Sequence, residues 1–370
     1  MNIVLFYSGT PVPAMLEIGL IASQNNIQVD LILLDRHQGD LSIDQSFVNY
    51  PITKVHAPYN SLDFRRFLAF PMIIFKVFKV LSSKCNTDSI VITSTIDTLL
   101  ITRLFTLFRN VKIRHQVRDL HKLQLRKNII SKMIMKFESW LLKKCDLLTY
   151  SSPSFWDLYY KHVYNGKAVL LENLPNIDIW NKFIPSTRTK NVVKIGYIGI
   201  IRYLRPLINL VAAVENLSAT GVSYTVIFAG GGPVGEIKNN INIPNLFMFE
   251  GMFEYSKEVS RLYKDIDLIF AVYDRFDLNC QIAMPTKFYE SLLTKIPIMV
   301  SKNTYVGNLV EEMGIGIAVD GESMDSIRDA LRQISIHGSW YTQSRARLQY
   351  LNIQEWQDKY SSSMYCLINK

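Results

Sequence analysis

The chain alternates short apolar runs with longer segments in which apolar residues recur every three or four positions. Short runs of this kind are typical of buried strands, and the longer segments are typical of helices that cover a sheet. Eleven runs predict strands, at residues 2–7, 29–34, 89–94, 111–117, 146–152, 192–199, 223–230, 245–251, 267–273, 296–301 and 316–320. Strands that alternate with helices form parallel sheets, so the predicted fold class is α/β.

A polar, proline-marked stretch at 172–191 interrupts this alternation, which then begins again. We therefore predict two Rossmann-like, doubly wound domains, one at 1–172 and one at 173–352. Residues 353–370 predict a final helix, which we expect to pack back on the first domain. Two domains of this kind face each other across a cleft at the carboxyl ends of their strands, where α/β proteins bind ligands.

The composition is that of a globular protein, with 48% hydrophobic and 20% charged residues. No uncharged apolar stretch reaches the roughly 18 residues of a membrane span. The first apolar run ends at Ser8 without a preceding basic residue, which indicates a strand and not a signal peptide. The four cysteines are widely spaced, which excludes a zinc-like cluster and predicts reduced thiols in a cytoplasmic protein.

The charge is unevenly distributed. The chain has 41 Lys and Arg against 32 Asp and Glu, and residues 60–145 alone hold 17 basic against 5 acidic residues. Within this region, segments 64–81 and 122–144 mix basic with aromatic and aliphatic residues, a pattern typical of helices that bind an anionic membrane surface. Core helices with a solvated basic rim are the alternative. Because no nucleic-acid-binding motif is present, we expect no nucleic-acid partner.

Two glycine turns in the second half suit a phosphate ligand. Gly199 ends a predicted strand, and Arg202 and Arg205 follow near the beginning of a helix, where an anion is favoured. The next strand ends in the consecutive residues Gly230, Gly231 and Gly232, which leave room for a nucleotide. Ordinary turns with solvated arginines are the alternative.

A third motif follows at residues 279–301. Pro285 opens a predicted helix, Thr286 lies in its first turn, and Lys287 and Glu290 are three positions apart on one face. We expect the amino end of this helix and the lysine to point toward the cleft. An i,i+3 ion pair on the surface is the alternative.

These motifs, in this order, resemble the retaining GT-B glycosyltransferases of the GT4-like "glycosyl transferases group 1" family. One similar feature is the basic residue Arg205, six positions after the strand-ending Gly199. The other is a P-x-K-x-x-E segment, matched by Pro285, Lys287 and Glu290, with Pro297 seven positions after the glutamate. Residues 136–155 and 172–176 extend the resemblance into the first half, so it covers most of the chain. The chain departs from the family pattern at Ile177, Ile200 and Ile282, where a glycine, a basic residue and a second glutamate are usual.

The resemblance implies a role for each matched residue. Arg205 and Lys287 would bind the donor diphosphate and stabilise the leaving group, and Glu290 would accept hydrogen bonds from the nucleotide ribose. Asn279 matches a subgroup of the family. Further substrate contacts are expected from Gly9, Thr10, Arg118, His121, Gly199, Arg202, Gly231, Gly232 and Thr286.

The segment RHQVRDLHK at 114–122 presents Arg118, Asp119 and His121 where a predicted strand ends. The resemblance implies that Asp119 orients or activates the acceptor hydroxyl, with His121 as the second candidate. A structural role for Asp119, as the cap of the following helix, is equally open.

The sequence thus predicts a glycosyltransferase that uses a nucleoside diphosphate sugar, with UDP first and GDP second. The expected acceptor is a lipid-linked or growing glycan in surface polysaccharide synthesis, and the expected location is the cytoplasm, peripheral on the inner face of the cell membrane. Fixed cations can stabilise a departing diphosphate without a metal, so we expect no obligatory metal and no cofactor. The alternatives are a sugar-nucleotide epimerase of the same fold and a non-enzymatic protein that binds nucleic acid or lipid.

Overall fold

The computed structural model describes residues 2–9, 11, 13–36, 48–57, 64–126, 128–180, 183–184, 192–218, 223–334 and 338–369, with the backbone alone at 13–14 and 64–68. The chain divides into two compact units. The first comprises Met1–Asn173 and Asp358–Lys370, and the second comprises Leu174–Gln357. Each unit contains one parallel sheet covered by helices, so the predicted α/β class is confirmed.

The first unit is built on seven parallel strands: β1 (Asn2–Ser8), β2 (Gln28–Asp35), β3 (Ile52–His56), β4 (Ile90–Thr93), β5 (Lys112–Val117), β6 (Cys145–Tyr150) and β7 (Ala168–Leu170). Their order is β3-β2-β1-β4-β5-β6-β7, so the direction of winding reverses between β1 and β4. Ligands of open α/β sheets bind at the carboxyl ends of the strands beside such a reversal.

In the part of this unit that the structure describes, six helices follow these strands along the chain: α1 (Pro13–Gln24), α2 (Phe64–Lys84), α3 (Ile96–Phe105), α4 (Lys122–Leu125), α5 (Ile129–Leu142) and α6 (Pro153–Leu158). Alternate side chains of a strand point to opposite faces of the sheet. One face, with Val4 and Phe6, packs against Val77 and Leu81 of α2 and Phe105 of α3 to form an apolar core.

The second unit contains six parallel strands, β8 (Val192–Ile198), β9 (Ser223–Ala229), β10 (Phe247–Gly251), β11 (Leu268–Ala271), β12 (Ile298–Ser301) and β13 (Gly316–Val319), in the order β10-β9-β8-β11-β12-β13. Its helices are α7 (Leu204–Ser218), α8 (Val234–Lys238), α9 (Tyr255–Lys264), α10 (Leu278–Ile282), α11 (Thr286–Thr294), α12 (Tyr305–Met313), α13 (Met324–Gln333) and α14 (Ser339–Tyr350). Short 3-10 turns lie at Tyr160–His162, Ile177–Ile179 and Pro244–Leu246. The winding of this sheet reverses between β8 and β11.

The last helix, α15 (Gln354–Ile368), joins the first unit from Asp358 onward. Met364, Leu367 and Ile368 are buried. The guanidinium of Arg114 in β5 donates hydrogen bonds to the carbonyl oxygens of Cys366 (3.0 Å) and Leu367 (2.5 Å). A cation is favoured at this position because a helix carries partial negative charge at its carboxyl end.

Candidate active site

The glycine turns after β8 and β9 are in direct backbone contact. The amide of Gly199 donates to the carbonyl of Ala229 (2.8 Å), and the amide of Ile201 donates to the carbonyl of Gly231 (2.8 Å). A Cβ on Gly230 would lie 2.0 Å from the carbonyl oxygen of Gly199, and one on Gly232 would lie 2.1 Å from that of Ile201. Glycine is therefore required at 230 and 232 by the packing of the two turns, whether or not a nucleotide binds there.

Helix α11 carries Lys287 back toward the first of these turns. Pro285 is the residue before the helix, and Thr286, which is half-buried, is its first residue. The Cε atom of Lys287 lies 3.7 Å from the position that a Cβ on Gly199 would occupy. The Nζ atom of Lys287 lies 2.7 Å from Oε2 of Glu290, and the lysine side chain is 13% exposed. An ammonium group is thus fixed at the carboxyl end of β8, beside the reversal in the second sheet.

Glu290 is fully buried, with 0% exposure. Its Oε1 accepts a hydrogen bond from the hydroxyl of Tyr255 (2.5 Å), and its Oε2 accepts from the hydroxyl of Tyr263 as well as from Lys287. Burial, followed by the charge of Glu290, raises the pKa of Tyr263 well above its ordinary value, so the phenol remains a neutral donor. Three donors offset the cost of burying this carboxylate.

Glu290 holds Lys287 in place, because its Oε2 accepts a hydrogen bond from the ammonium group. Its other hydrogen bonds come from the two tyrosines, and the carboxylate has no exposed surface. The expected hydrogen bonds from a nucleotide ribose to Glu290 stay a prediction. Tyr255 and Tyr263 were not predicted, because they lie in a helix that precedes Glu290 by 27 or more residues and no local pattern connects the two segments.

The other predicted residues of the second unit are more exposed. Arg205 lies in the first turn of α7 with its side chain 67% exposed, and its Nε is 4.0 Å from Oε2 of Glu322. Arg202 is exposed and its guanidinium lies over the ring of Tyr203, 5.0 Å from the centroid. Asn279 is half-buried in α10. The expected convergence of Arg205 with Lys287 on one ligand stays a prediction.

In the first unit, the predicted acceptor residues follow β5. One guanidinium nitrogen of Arg118, Nη1, donates to Oδ1 of Asn173 (2.7 Å), and burial lowers the pKa of this arginine. Asp119 is exposed. His121 precedes α4, and its Nδ1 accepts a hydrogen bond from the amide of Leu123 (3.2 Å). The helix cap is therefore His121, and the alternative that Asp119 caps this helix is wrong.

Gly9 lies directly after β1 with a φ of +87°, and its amide donates to the carbonyl of Leu34 (3.0 Å). This φ favours glycine. Thr10, the second residue predicted in this turn, lies outside the described residues.

In the described part of the chain, no group of three or more His, Cys, Asp or Glu side chains could hold a metal ion. Two carboxylates, those of Asp265 and Asp267, lie close together in the sequence, and carboxylate oxygens are common metal ligands. Asp267, however, is buried directly before β11, where its Oδ2 accepts a hydrogen bond from the amide of Lys194 (2.8 Å). This carboxylate therefore joins two strands at the amino end of the sheet, away from Lys287.

A group of large apolar side chains is exposed on α2, α5 and the end of α3. We call it the apolar face, and it consists of Met72, Phe75, Leu107, Phe108, Ile129, Ile130, Met133, Phe137 and Trp140. Helix α3 packs against both α2 and α5. Phe78 of α2 contacts Phe108 (5.8 Å between centroids), and the guanidinium of Arg103 lies 5.5 Å from the Trp140 ring centroid.

Basic side chains border the apolar face. Lys76, Lys79, Lys132 and Lys136 are exposed on the same helices. Ile73 and Val77 of α2 are buried in the core, so this helix is both a core helix and a surface helix. The side chains of Arg65, Arg66 and Lys127 in the two predicted segments lie outside the described residues. No helix within the described ranges has the length and apolar character that crossing a membrane requires.

No protein-family model matches this chain. It is 24% identical over 260 residues to the succinoglycan biosynthesis protein ExoL of Rhizobium meliloti strain 1021, an alignment that covers 66% of this chain. The chain spans 63% of the length of that relative.

Solved structures are similar over nearly the whole chain. A glycosyltransferase from Rickettsia africae superposes with a TM-score of 0.69 at 13% identity, covering 100% of this chain and 99% of that one. HepE from Anabaena, in complex with UDP, superposes with a TM-score of 0.67 at 12% identity and covers 99% of both chains. The resemblance that the motifs predict is thereby confirmed at the level of the fold. The chain has the GT-B fold, with two Rossmann-like units of the kind found in these glycosyltransferases.

Proposed function

We propose that the chain is a glycosyltransferase that moves a sugar from a nucleoside diphosphate donor to a lipid-linked or growing glycan acceptor. The observation that carries this proposal is the fixed ammonium group of Lys287, which a buried carboxylate holds beside Gly199 at the carboxyl end of the second sheet. A preorganised cation at such a position suits a diphosphate leaving group.

The chemistry follows from the charge that develops on the donor. As the bond between sugar and diphosphate breaks, negative charge accumulates on the phosphate oxygens. Lys287 stabilises this charge without reorganisation because Glu290 already fixes it, and Arg205 in the first turn of α7 supplies a second cation. In this proposal the enzyme retains the configuration of the sugar, needs no obligatory metal, and uses Asp119 to orient the acceptor hydroxyl.

Two similarities support the class of substrate. The HepE structures contain UDP, and in one case UDP and glucose, so UDP is our first choice of donor nucleotide and GDP the second. ExoL is named for succinoglycan biosynthesis, which supports a role in surface polysaccharide synthesis. We propose that this chain shares both the donor nucleotide and the role in polysaccharide synthesis.

The apolar face and its lysines support a location at the cytoplasmic membrane surface. An exposed apolar group of this size marks an interaction site, and a border of cations favours anionic lipid over a neutral partner. A lipid-linked acceptor would be held in the same membrane leaflet. We therefore propose a cytoplasmic enzyme, peripheral on the inner face of the cell membrane.

A nucleotide panel tests the proposed activity. We expect UDP to raise the melting temperature of the protein more than GDP, ADP or CMP, because a ligand at 100 times its Kd adds about 2.7 kcal/mol to stability. The variant Lys287→Met should lower kcat for sugar transfer by roughly 10²-fold. Lys264→Met, an exposed lysine of α9, is the control and should keep full activity. Absence of any nucleotide effect on the wild-type protein would rule out the proposal.

A further inference from the structure

Tyr263 on helix α9 lies at the centre of a set of buried contacts in the second unit. Its side chain has 0% exposure. The hydroxyl donates a hydrogen bond to Oε2 of Glu290, and the ring centroid lies 5.7 Å from Nζ of Lys287, which is a cation–π distance. The same ring meets the buried ring of Trp180, with 5.3 Å between centroids. This close packing fixes the phenol hydroxyl at Glu290.

Tyr255 reaches the same carboxylate from the first turn of α9. Its hydroxyl donates to Oε1 of Glu290 (2.5 Å), so the two phenols use different oxygens of one carboxylate. Tyr255 and Tyr263 are eight positions apart in the helix, which places both on the face of α9 that meets α11. The position of Glu290, and through it that of Lys287, is therefore set by a second helix and not by α11 alone.

The two phenols also affect how strongly Glu290 attracts Lys287. Each hydrogen bond donated to a carboxylate stabilises its charged form, so the carboxylate needs less from the ammonium group. Burial raises the pKa of Tyr263 well above its ordinary value, so this phenol stays protonated and remains a donor. An ammonium group has three N–H donors, and within the described ranges Lys287 uses one of them, for Glu290. Two are left for a ligand.

We propose that Tyr255 and Tyr263 are positioning residues for the donor diphosphate. They act through Glu290: they fix the carboxylate that holds Lys287, and they leave the remaining N–H groups of Lys287 to the phosphate oxygens. This inference rests on the proposed function and adds two residues of α9 to its binding machinery. Neither tyrosine touches the ligand, so each contributes to binding only as long as Lys287 is present.

A double-mutant cycle tests this dependence on Lys287. Tyr263→Phe and Tyr255→Phe keep the ring and remove only the hydroxyl, and each is made in the wild-type protein and in Lys287→Met. We expect each substitution to weaken UDP binding about tenfold in the wild-type background. In the Lys287→Met background it should have no effect, because residues that act through one group are not additive. If Tyr263→Phe folds poorly, the half-buried Tyr255 still gives a complete cycle.

The matched control is Tyr160→Phe in the first unit. The hydroxyl of Tyr160 donates to Oε1 of Glu138 (2.7 Å), another fully buried glutamate. This variant should lower the melting temperature as Tyr263→Phe does, because each leaves a buried carboxylate with one donor fewer. It should bind UDP like the wild-type protein. An equal loss of UDP binding in Tyr160→Phe would attribute the effect to general destabilisation and overturn the inference.

UDP binding is measured on the full chain by ligand-observed NMR, which also detects the weak binding expected of Lys287→Met. Unchanged UDP binding in Tyr255→Phe and Tyr263→Phe would show a purely structural role and overturn the inference. The same loss in both backgrounds would show that the tyrosines act independently of Lys287, which would overturn it as well. Both results leave the proposed function in place, whereas a wild-type protein that binds no nucleoside diphosphate would contradict the function and the inference together.

Discussion

Each unit buries one glutamate that accepts hydrogen bonds from two tyrosines. Glu138 accepts from Tyr159 and Tyr160 (both 2.7 Å), and Glu290 accepts from Tyr255 and Tyr263. Burial raises the pKa of Glu138. Only Glu290 also contacts a cation, the ammonium group of Lys287. The same device thus connects helices in the first unit, while in the second it fixes the group that we assign to the donor diphosphate.

His115 gives the first unit a stability that depends on pH. It is buried, its Nδ1 lies 2.8 Å from Oγ1 of Thr93, and burial lowers its pKa from 6.5 to about 4. Between these values the unfolded chain binds a proton that the native chain does not, so stability falls as the pH decreases through this window. The full effect is on the order of 3 kcal/mol.

We expect His115→Gln to flatten this dependence. The difference in melting temperature between wild type and variant should change steadily from pH 6.5 to pH 4, in favour of the variant at low pH, because the variant has no group to protonate. Other titrating groups, including Glu138, are common to both proteins and cancel in the difference. A difference that is constant with pH would contradict a buried neutral His115.

At the scale of elements, Arg114 connects the last helix to β5, an inner strand of the first sheet. Its guanidinium meets the carbonyl oxygens at the end of α15, which have no partners within the helix. Hydrogen bonds from a charged donor contribute about 1.5–3 kcal/mol each, so this one side chain is a large part of what holds α15 in place.

Arg114→Met should therefore loosen α15 selectively. We expect faster amide hydrogen exchange in α15 and a loss of about 2–4 kcal/mol in stability, since the carbonyls lose their donor while the side chain keeps a similar volume. The matched control is Arg109→Met, an exposed arginine of the same unit, which should leave exchange in α15 unchanged. Equal exchange in both variants would show that apolar burial of Leu367 and Ile368 alone is sufficient.

The elements that the sequence predicts are those with a strong local pattern. Eleven of the thirteen strands found in the described residues were predicted, and the two missed are the edge strands of the first sheet: β3, which contains Lys54 and His56, and β7, which has three residues. Local spacing also predicted that Lys287 and Glu290 share a face of α11. The tyrosines around Glu290 and the carbonyls around Arg114 were not predictable, because contacts between distant segments depend on the tertiary packing and leave no periodic signal.

At the scale of the whole molecule, charge and exposed apolar surface coincide in the first unit. Residues 60–145 contain 17 basic and 5 acidic residues, and every residue of the apolar face lies within the same range. A solvated basic rim would not need nine exposed large apolar side chains, and an apolar contact with another protein would not need the lysines. Both features together suit the interface of an anionic bilayer, where side chains enter the headgroup region and cations meet lipid phosphates.

Vesicle binding separates the two contributions. Phe75 and Phe108 are each 73% exposed in the wild-type protein. The double variant Phe75→Ser, Phe108→Ser should not bind vesicles that contain phosphatidylglycerol, since the apolar contact is lost. Lys76→Gln with Lys79→Gln should weaken binding about thirtyfold, because each cation near the surface contributes about 1 kcal/mol. Phe276→Ser with Tyr350→Ser, exposed residues of the second unit, is the matched control and should bind like the wild type. Binding is measured in a sedimentation assay. If the variant of Phe75 and Phe108 binds as tightly as this control, the apolar face serves another partner. If the wild-type protein loses its binding on neutral vesicles and in high salt, the result supports the proposed membrane surface.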